Sequence, residues 1–128
     1  MFVLLSIKPK FVDAIIRGNK KYEFRKSIFK DKNINKVYMY STSPIKKVLG
    51  SFTVGEIKEG NPFTLWSEFN EFSGVDANEF FLYFKNREKG FAIEIRNVEQ
   101  FIEPIDPRNV IPGFTPPQSF HYIKNDIF

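Results

Sequence analysis

The stretch Gly18-Asn19-Lys20-Lys21-Tyr22-Glu23-Phe24-Arg25 decides how the rest of the chain is read, because the hydrophobic period changes inside it. Before it, Phe11, Val12, Ala14, Ile15 and Ile16 recur at helical spacing behind Pro9, and Gly18 supplies the stop. The spacing predicts a helix of about two turns. From Lys20 onward, Tyr22 and Phe24 alternate with Lys21, Glu23 and Arg25, which is the period of a strand. If Tyr22 and Phe24 face the core, then Lys21, Glu23 and Arg25 share the opposite face, with Lys20 at the corner. Cations and one carboxylate then gather at the mouth of a curved sheet, where ligand sites often lie. Arginine can grip a phosphate or a base edge with two parallel donors. Glu23 can accept from an amino group, or pair with Arg25 or a lysine in a merely solvated strand face.

Working outward, residues 2–7 read as a first strand. Polar residues 30–36 make a loop, 37–40 a strand, and Ser41-Thr42-Ser43-Pro44 its ending. Residues 47–57 form a long strand in which Gly50 and Gly55 mark bulges or corners. Asn61-Pro62 looks like an N-cap before a proline at the first helical position, opening a helix to about residue 72. Asp76 with Glu79 resembles a capping box for a second helix over 77–84. Strands follow over 91–98 and 100–103. The tail, with Pro104, Pro107, Pro112, Pro116 and Pro117, is expected to be irregular but packed, burying Phe114, Phe120 and Tyr122. Long glycine-punctuated strands without regular βα alternation predict an α+β fold. It is a small mixed β-barrel with a short N-terminal helix and a two-helix insert.

Composition bounds what such a fold can do. The 128 residues suit one domain, taken as residues 1–128. Sixteen Phe, five Tyr and one Trp are far too many for a disordered chain. With no cysteine, disulfides, thiolate zinc sites and a catalytic thiol are excluded, and the single His121 excludes a histidine-rich metal site. No metal or cofactor is expected. The apolar run at residues 1–5 is too short for a secretion signal, and nothing approaches the roughly 18 apolar residues of a membrane span. A cytoplasmic location is therefore the default. The net charge of +4 is unevenly spread: residues 1–58 hold 13 Lys/Arg against 4 Asp/Glu, while 59–128 hold 6 against 11. The split suggests one basic face that would attract phosphate, although lysines are also common as plain surface residues.

The segment Gly-x-Lys-x-x-Glu-x-Arg behind a helix carrying Ile15 and Ile16 resembles the signature of the ASCH domain family. Leu5-Ser6-Ile7-Lys8-Pro9 resembles the family's opening strand, and Tyr40-Ser41-Thr42-Ser43-Pro44 with Gly50 its next strand pair. Lys89-Gly90-Phe91-Ala92-Ile93 resembles its late strand. Pro116-Pro117-Gln118-Ser119-Phe120 with Tyr122 resembles the ending of a bacterial and archaeal subgroup of small proteins. The resemblance implies a PUA-like β-barrel that binds RNA or a nucleotide, in a regulatory or translation-related role. It also implies a cleft between barrel and first helix, lined by Lys20, Glu23 and Arg25.

Further candidates are weaker. Lys8 sits at the end of the first strand and can add a cation. Ser41 and Ser43 can donate to a phosphate or simply serve the turn before Pro44. Gln118 and Ser119 can close the cleft from the tail, and Ser119 can equally cap a final short helix. Some ASCH-type proteins are amidohydrolases acting on acetylated cytidine; they carry a hydroxyl residue where this chain has Glu23. That chemistry would need a general base such as Glu68, Glu71 or Glu79 in the insert. A ribonuclease would use Lys20 and Arg25 to stabilise a phosphorane and Glu23 to move protons, with His121 as a tempting partner. Trp66, Phe69, Phe72, Phe80, Phe81, Tyr83 and Phe84 can stack bases, but cover for the open end of the barrel explains them better. The acids of the insert would repel nucleic acid, so the insert is expected to point away from the basic face or to regulate access. The oligomeric state is left open.

Overall fold

The computed structural model describes residues 2–128. Six strands form one sheet: β1 (Phe2–Ile7), β2 (Tyr22–Arg25), β3 (Lys36–Ser41), β4 (Lys47–Gly60), β5 (Gly90–Ile105) and β6 (Phe120–Ile123). The helices are α1 (Pro9–Ile16), α2 (Pro62–Phe69) and α3 (Ala77–Tyr83), with a 3-10 turn at Pro107–Asn109. The strand order is β2-β5-β4-β3-β1-β6, and β1 with β3 is its parallel pair. The result is the expected α+β architecture: a sheet curled into a half-barrel, with α1 after the first strand and α2–α3 inserted between β4 and β5.

Strand β1 is apolar on both faces because both are covered. Val3, Leu5 and Ile7 join Val37, Met39, Phe52 and Ile93 in the concave core, which α1 plugs with Val12 and Ile15. Leu4 faces the other way and packs with Tyr38, Tyr40, Val48 and Ile123, beneath Phe114 and Phe128 of the tail. Tyr38 donates its hydroxyl proton to Asp126, which pins the tail; burial, followed by that carboxylate, pushes the phenol well above its ordinary range. The insert supplies a third cluster, in which Leu65, Phe80 and Phe84 cover Phe24 and Ala92. Among the described residues no helix is long and apolar enough to cross a membrane.

The curl needs breaks in the longest ladder. Pairing of β4 with β5 shifts register between Val48 and Gly50, between Ser51 and Thr53, and between Val54 and Ile57. Gly50 sits at the first break because a Cβ there would lie 2.2 Å from the Glu99 carbonyl oxygen. Both N-caps form: Asn61 accepts from the Thr64 amide at 2.9 Å, and Asp76 from the Glu79 amide at 2.8 Å, but the Glu79 carboxylate is bound to Lys10 and does not complete a capping box.

Several expectations need correction. Helix α2 ends at Phe69, not near 72, because Phe72 adopts a left-handed conformation with φ 60°. The two late strand segments are one continuous strand, β5, which absorbs the irregularity at Asn97 (φ 49°) without ending. The tail is not wholly irregular: Phe120–Ile123 forms β6, antiparallel to β1. Ser119 therefore leads into a strand and caps no helix. Tyr122 is also not buried; it remains 43% exposed, and its hydroxyl accepts from the Lys30 and Asp31 amides.

Candidate functional site

Register decides the site. Glu23 pairs with Ile93 and Tyr22 with Glu94 across β2 and β5, and residues directly opposite share a face. Ile93 belongs to the concave core, so Glu23 and Arg25 point inward. Tyr22 and Phe24 point outward into the helical insert. This inverts the simplest reading of the alternation, in which the aromatic pair would face the barrel. The outward face is no less buried, because the insert gives it a core of its own.

Glu23 consequently lies between two cations in a nearly dry environment. Its side chain is 6% exposed, that of Lys20 1% and that of Arg25 12%. Glu23 Oε2 accepts from Arg25 Nη1 at 3.1 Å, and Glu23 Oε1 lies 3.7 Å from Lys20 Nζ. Lys20 donates to the Ser73 carbonyl oxygen at 2.6 Å and lies over the rings of Phe11 and Phe24, at 4.9 and 5.2 Å from their centroids. Burial pushes the Lys20 ammonium below its ordinary range, and Glu23, with a smaller contribution from Glu79, pulls it back. Such an amine gives up its proton more readily than a surface lysine.

Arg25 works as a tie across the seam of the half-barrel. Nη1 also donates to the Ser6 carbonyl at 3.1 Å, and Nη2 donates to the Ser119 carbonyl at 3.2 Å and to Ser119 Oγ at 3.1 Å. Four of its five N–H groups are thus committed. One side chain links β2, at one edge of the sheet, to β1 and to the approach of β6, at the other edge. It also fixes the Ser119 hydroxyl.

These groups line a cleft of about 730 Å³. Of the residues singled out from sequence, Lys8, Lys20, Glu23, Arg25, Gln118 and Ser119 line it together. Ser41 and Ser43 lie outside it. Ser41 is fully buried at the end of β3 beside Ile7, with no hydrogen-bond partner for its hydroxyl among the described residues, and Ser43 is exposed in the turn before Pro44. Of the three insert acids, only Glu79 lines the cleft, and it is bound to Lys10 of α1 at 2.5 Å. Glu68 pairs with Lys58 at 3.4 Å, and Glu71 is exposed elsewhere. His121 lines a separate hollow of about 460 Å³ against Leu4 and Phe114.

The insert does not point away from the cleft. Val75, Glu79, Phe80, Leu82 and Tyr83 line it from the insert, and Arg87 after α3 adds a cation to those of Lys8 and Lys26. Sequence reasoning missed Lys26 and Arg87, and it read Tyr83 as cover although that ring lines the cleft. Lys26 continues the motif and is its legible neighbour, with Nζ 4.6 Å from the Tyr83 ring centroid. Burial raises the Tyr83 phenol, while the nearby Arg25 guanidinium opposes the shift. Most of the aromatic residues of the insert do pack as cover: Phe80 alone touches the rings of Phe24, Trp66, Phe81 and Phe84.

The family model of a domain of unknown function, DUF365, matches residues 3–114. A Zymomonas mobilis protein called ASCH domain-containing ribonuclease is 30% identical over 126 residues, covering 96% of this chain and 84% of that one. The crystal structure of ASCH from Zymomonas mobilis superposes with a TM-score of 0.89 at 29% identity, covering 96% of this chain and 87% of that one. The N-terminal domain of Staphylothermus marinus McrB shares the fold at a TM-score of 0.53 and 13% identity, over 87% of this chain and 81% of its own.

Proposed function

The chain belongs to the ASCH domain family and to DUF365, and from that premise we propose that it binds RNA in the cleft between α1, β2 and the insert and cleaves it there. The observation that carries this reading is the buried Lys20, whose ammonium meets the cleft with a lowered proton affinity beside Glu23. The name of the Zymomonas mobilis relative, a ribonuclease, supports cleavage over binding alone.

Each group has a task that follows from its surroundings. Lys8, Lys26 and Arg87 stand at the cleft without a carboxylate within ion-pair distance among the described residues, so they are available to phosphate. Lys20 lies deeper, where a positive charge is worth more against a pentavalent phosphorane than it would be in water. Glu23 is held between Lys20 and Arg25 and keeps both in place, a more natural role for this carboxylate than carrying protons. Arg25, with four N–H groups committed, aims the Ser119 hydroxyl and closes the seam. Gln118 and Ser119 bring polar groups from the tail to the same opening.

The test uses fluorescein-labelled single-stranded RNA, followed by anisotropy for binding and on denaturing gels for cleavage. The native chain is expected to bind with an affinity that falls steeply with salt and to shorten the RNA. Lys20→Met, folded by circular dichroism, should keep binding within about threefold and lose at least roughly 100-fold in cleavage rate. Acetylated cytidine, run in parallel, should be recovered unchanged; its turnover in place of RNA cleavage would move the assignment to an amidohydrolase. If RNA is neither bound nor cut, the cleft has been assigned to the wrong ligand.

A further inference from the structure

We propose that the Ser73–Gly74 turn between α2 and α3 is the positioning element for Lys20, so that the two-helix insert belongs to the machinery of the cleft as well as covering it. The proposal rests on the reading of Lys20 as the functional cation of that cleft.

A lysine is a poor precision tool: its four-carbon stem turns freely, and its ammonium accepts many directions of approach. Here the stem has one path. The Ser73 carbonyl accepts a hydrogen bond from Nζ at 2.6 Å. The backbone of Gly74 lies directly along the stem, so that a Cβ added at Gly74 would meet Lys20 Cβ, Cγ and Cδ at 2.7, 2.8 and 2.8 Å. Real Cβ atoms do not approach carbon this closely. Gly74 also has φ +73°, a conformation that side chains other than Asn and Asp rarely take. Opposite the turn, the rings of Phe11 and Phe24 flank the ammonium.

The turn is itself anchored. The Lys21 amide donates to the Phe72 carbonyl at 2.7 Å, so the residue after Lys20 is hydrogen-bonded to the residue before Ser73. Lys21 Nζ lies 4.4 Å from the Phe72 ring centroid. The Ser73 hydroxyl donates to the Val75 carbonyl at 3.1 Å, and Ser73 is 1% exposed. The carboxylates that act on Lys20 are Glu23 on its own side and Glu79 from α3, the latter held by Lys10. A displacement of the turn would therefore change both the direction and the charge state of Lys20.

The experiment compares two glycines of like conformation. Gly113 has φ +67° and open space around it, whereas Gly74 has the stem of Lys20. Asparagine tolerates the left-handed backbone, so Gly74→Asn introduces chiefly the collision, and Gly113→Asn is the control for the backbone alone. Lys20 is followed by NMR of isotopically labelled lysine in ligand-free protein across the alkaline range, and RNA cleavage is measured separately. In Gly74→Asn the Lys20 midpoint should move up by at least about half a unit, because pushing the stem toward the cleft relieves its burial. The kcat on RNA should fall at least about tenfold with KM within about twofold. Gly113→Asn should leave both unchanged. A folded Gly74→Asn chain with native titration and native kcat overturns the proposal. If Gly74→Asn does not fold, Lys20→Gly is added to remove all three colliding carbons: recovery of folding supports the proposal, and continued failure overturns it. Because the titration needs no RNA, a native chain that fails to cleave RNA while Gly74→Asn still moves Lys20 would refute the ribonuclease reading and leave the positioning intact.

Discussion

Two segments of this chain carry the same local pattern on neighbouring strands, and they come to opposite ends. Tyr22-Glu23-Phe24-Arg25 on β2 and Ile93-Glu94-Ile95-Arg96 on β5 each alternate apolar residues with a glutamate and an arginine two apart. In both, the arginine reaches back to its glutamate, at 3.1 Å for Arg25 and 2.6 Å for Arg96. Yet Glu23 and Arg25 are 6% and 12% exposed, while Glu94 and Arg96 are 33% and 53% exposed. The antiparallel register that sets Glu23 opposite Ile93 sends one pair into the barrel and the other over the outer surface above Gly55. An alternating strand fixes which residues go together but not which set goes in, and here that choice separates a buried cluster lining the cleft from a surface ion pair.

The contrast is broken first at its buried member. Glu23→Gln leaves Arg25 without its carboxylate and Lys20 with only the weaker influence of Glu79, in a nearly dry environment, and removing one partner of a buried pair costs about 3–5 kcal/mol. Urea denaturation at pH 7 should register that loss. A loss below about 1 kcal/mol would mean that water reaches the cluster and screens it like a surface pair.

Next in size is the tie across the seam. Arg25→Lys keeps the charge but cannot hold Glu23, the Ser6 carbonyl and Ser119 together, since one ammonium lacks the fork. Hydrogen bonds to charged groups contribute roughly 1.5–3 kcal/mol each, and part survives in the lysine, so a net loss of about 2 kcal/mol is expected. Hydrogen exchange gives the sharper readout. The β6 amides should lose protection more than those in the middle of β4, because β6 is a four-residue edge strand paired only with β1. Uniform loss of protection would mean that Arg25 stabilises the fold generally and does not tie the seam.

A smaller, pH-dependent effect follows from Lys20. Burial lowers its folded-state proton affinity below the ordinary lysine value of 10.5, so between the folded pKa and 10.5 the unfolded chain binds more protons. Stability should therefore rise with pH through that window relative to Lys20→Met, whose profile lacks the step. Paired urea titrations of the two chains would show it, and parallel profiles would remove the burial argument.

What was legible in the chain follows the same division between local and distant causes. The helix ending at Gly18, the switch of period at Lys20, the glycine breaks in β4 and the Asn61 and Asp76 caps depend on neighbours within a few residues, and all were readable. The grouping of Lys20, Glu23 and Arg25 was readable as proximity on one short segment, helped by the family resemblance. The inward face was not, because it required knowing that α2 and α3 would cover Tyr22 and Phe24. Strand β6 was hidden for a related reason. Its four residues follow a proline-rich stretch, and pairing with β1 makes it a strand, not any propensity strong enough to notice. The contact of Lys20 with Ser73, 53 positions away, and that of Arg25 with Ser119, 94 away, could not be read from spacing.

The smallest expected effect is at the exposed pair. The Glu56 amide donates to Glu94 Oε1 at 3.0 Å and holds that carboxyl below its ordinary value of 4.5, against a slight opposing burial and with further help from Arg96. A depressed carboxyl contributes stability that is present above the unfolded pKa and lost as pH falls through the folded one, so the contribution should disappear only in acid, below about 4.5. Its size is bounded by exposure: such pairs are worth about 0–1 kcal/mol and weaken with salt. Glu94→Gln should cost no more than that at pH 7, less again at high salt, and nothing once the native carboxyl is protonated. A cost rivalling that of Glu23→Gln would show that exposure does not separate the two patterns, and burial would lose its place as the reason that the two ion pairs differ in strength.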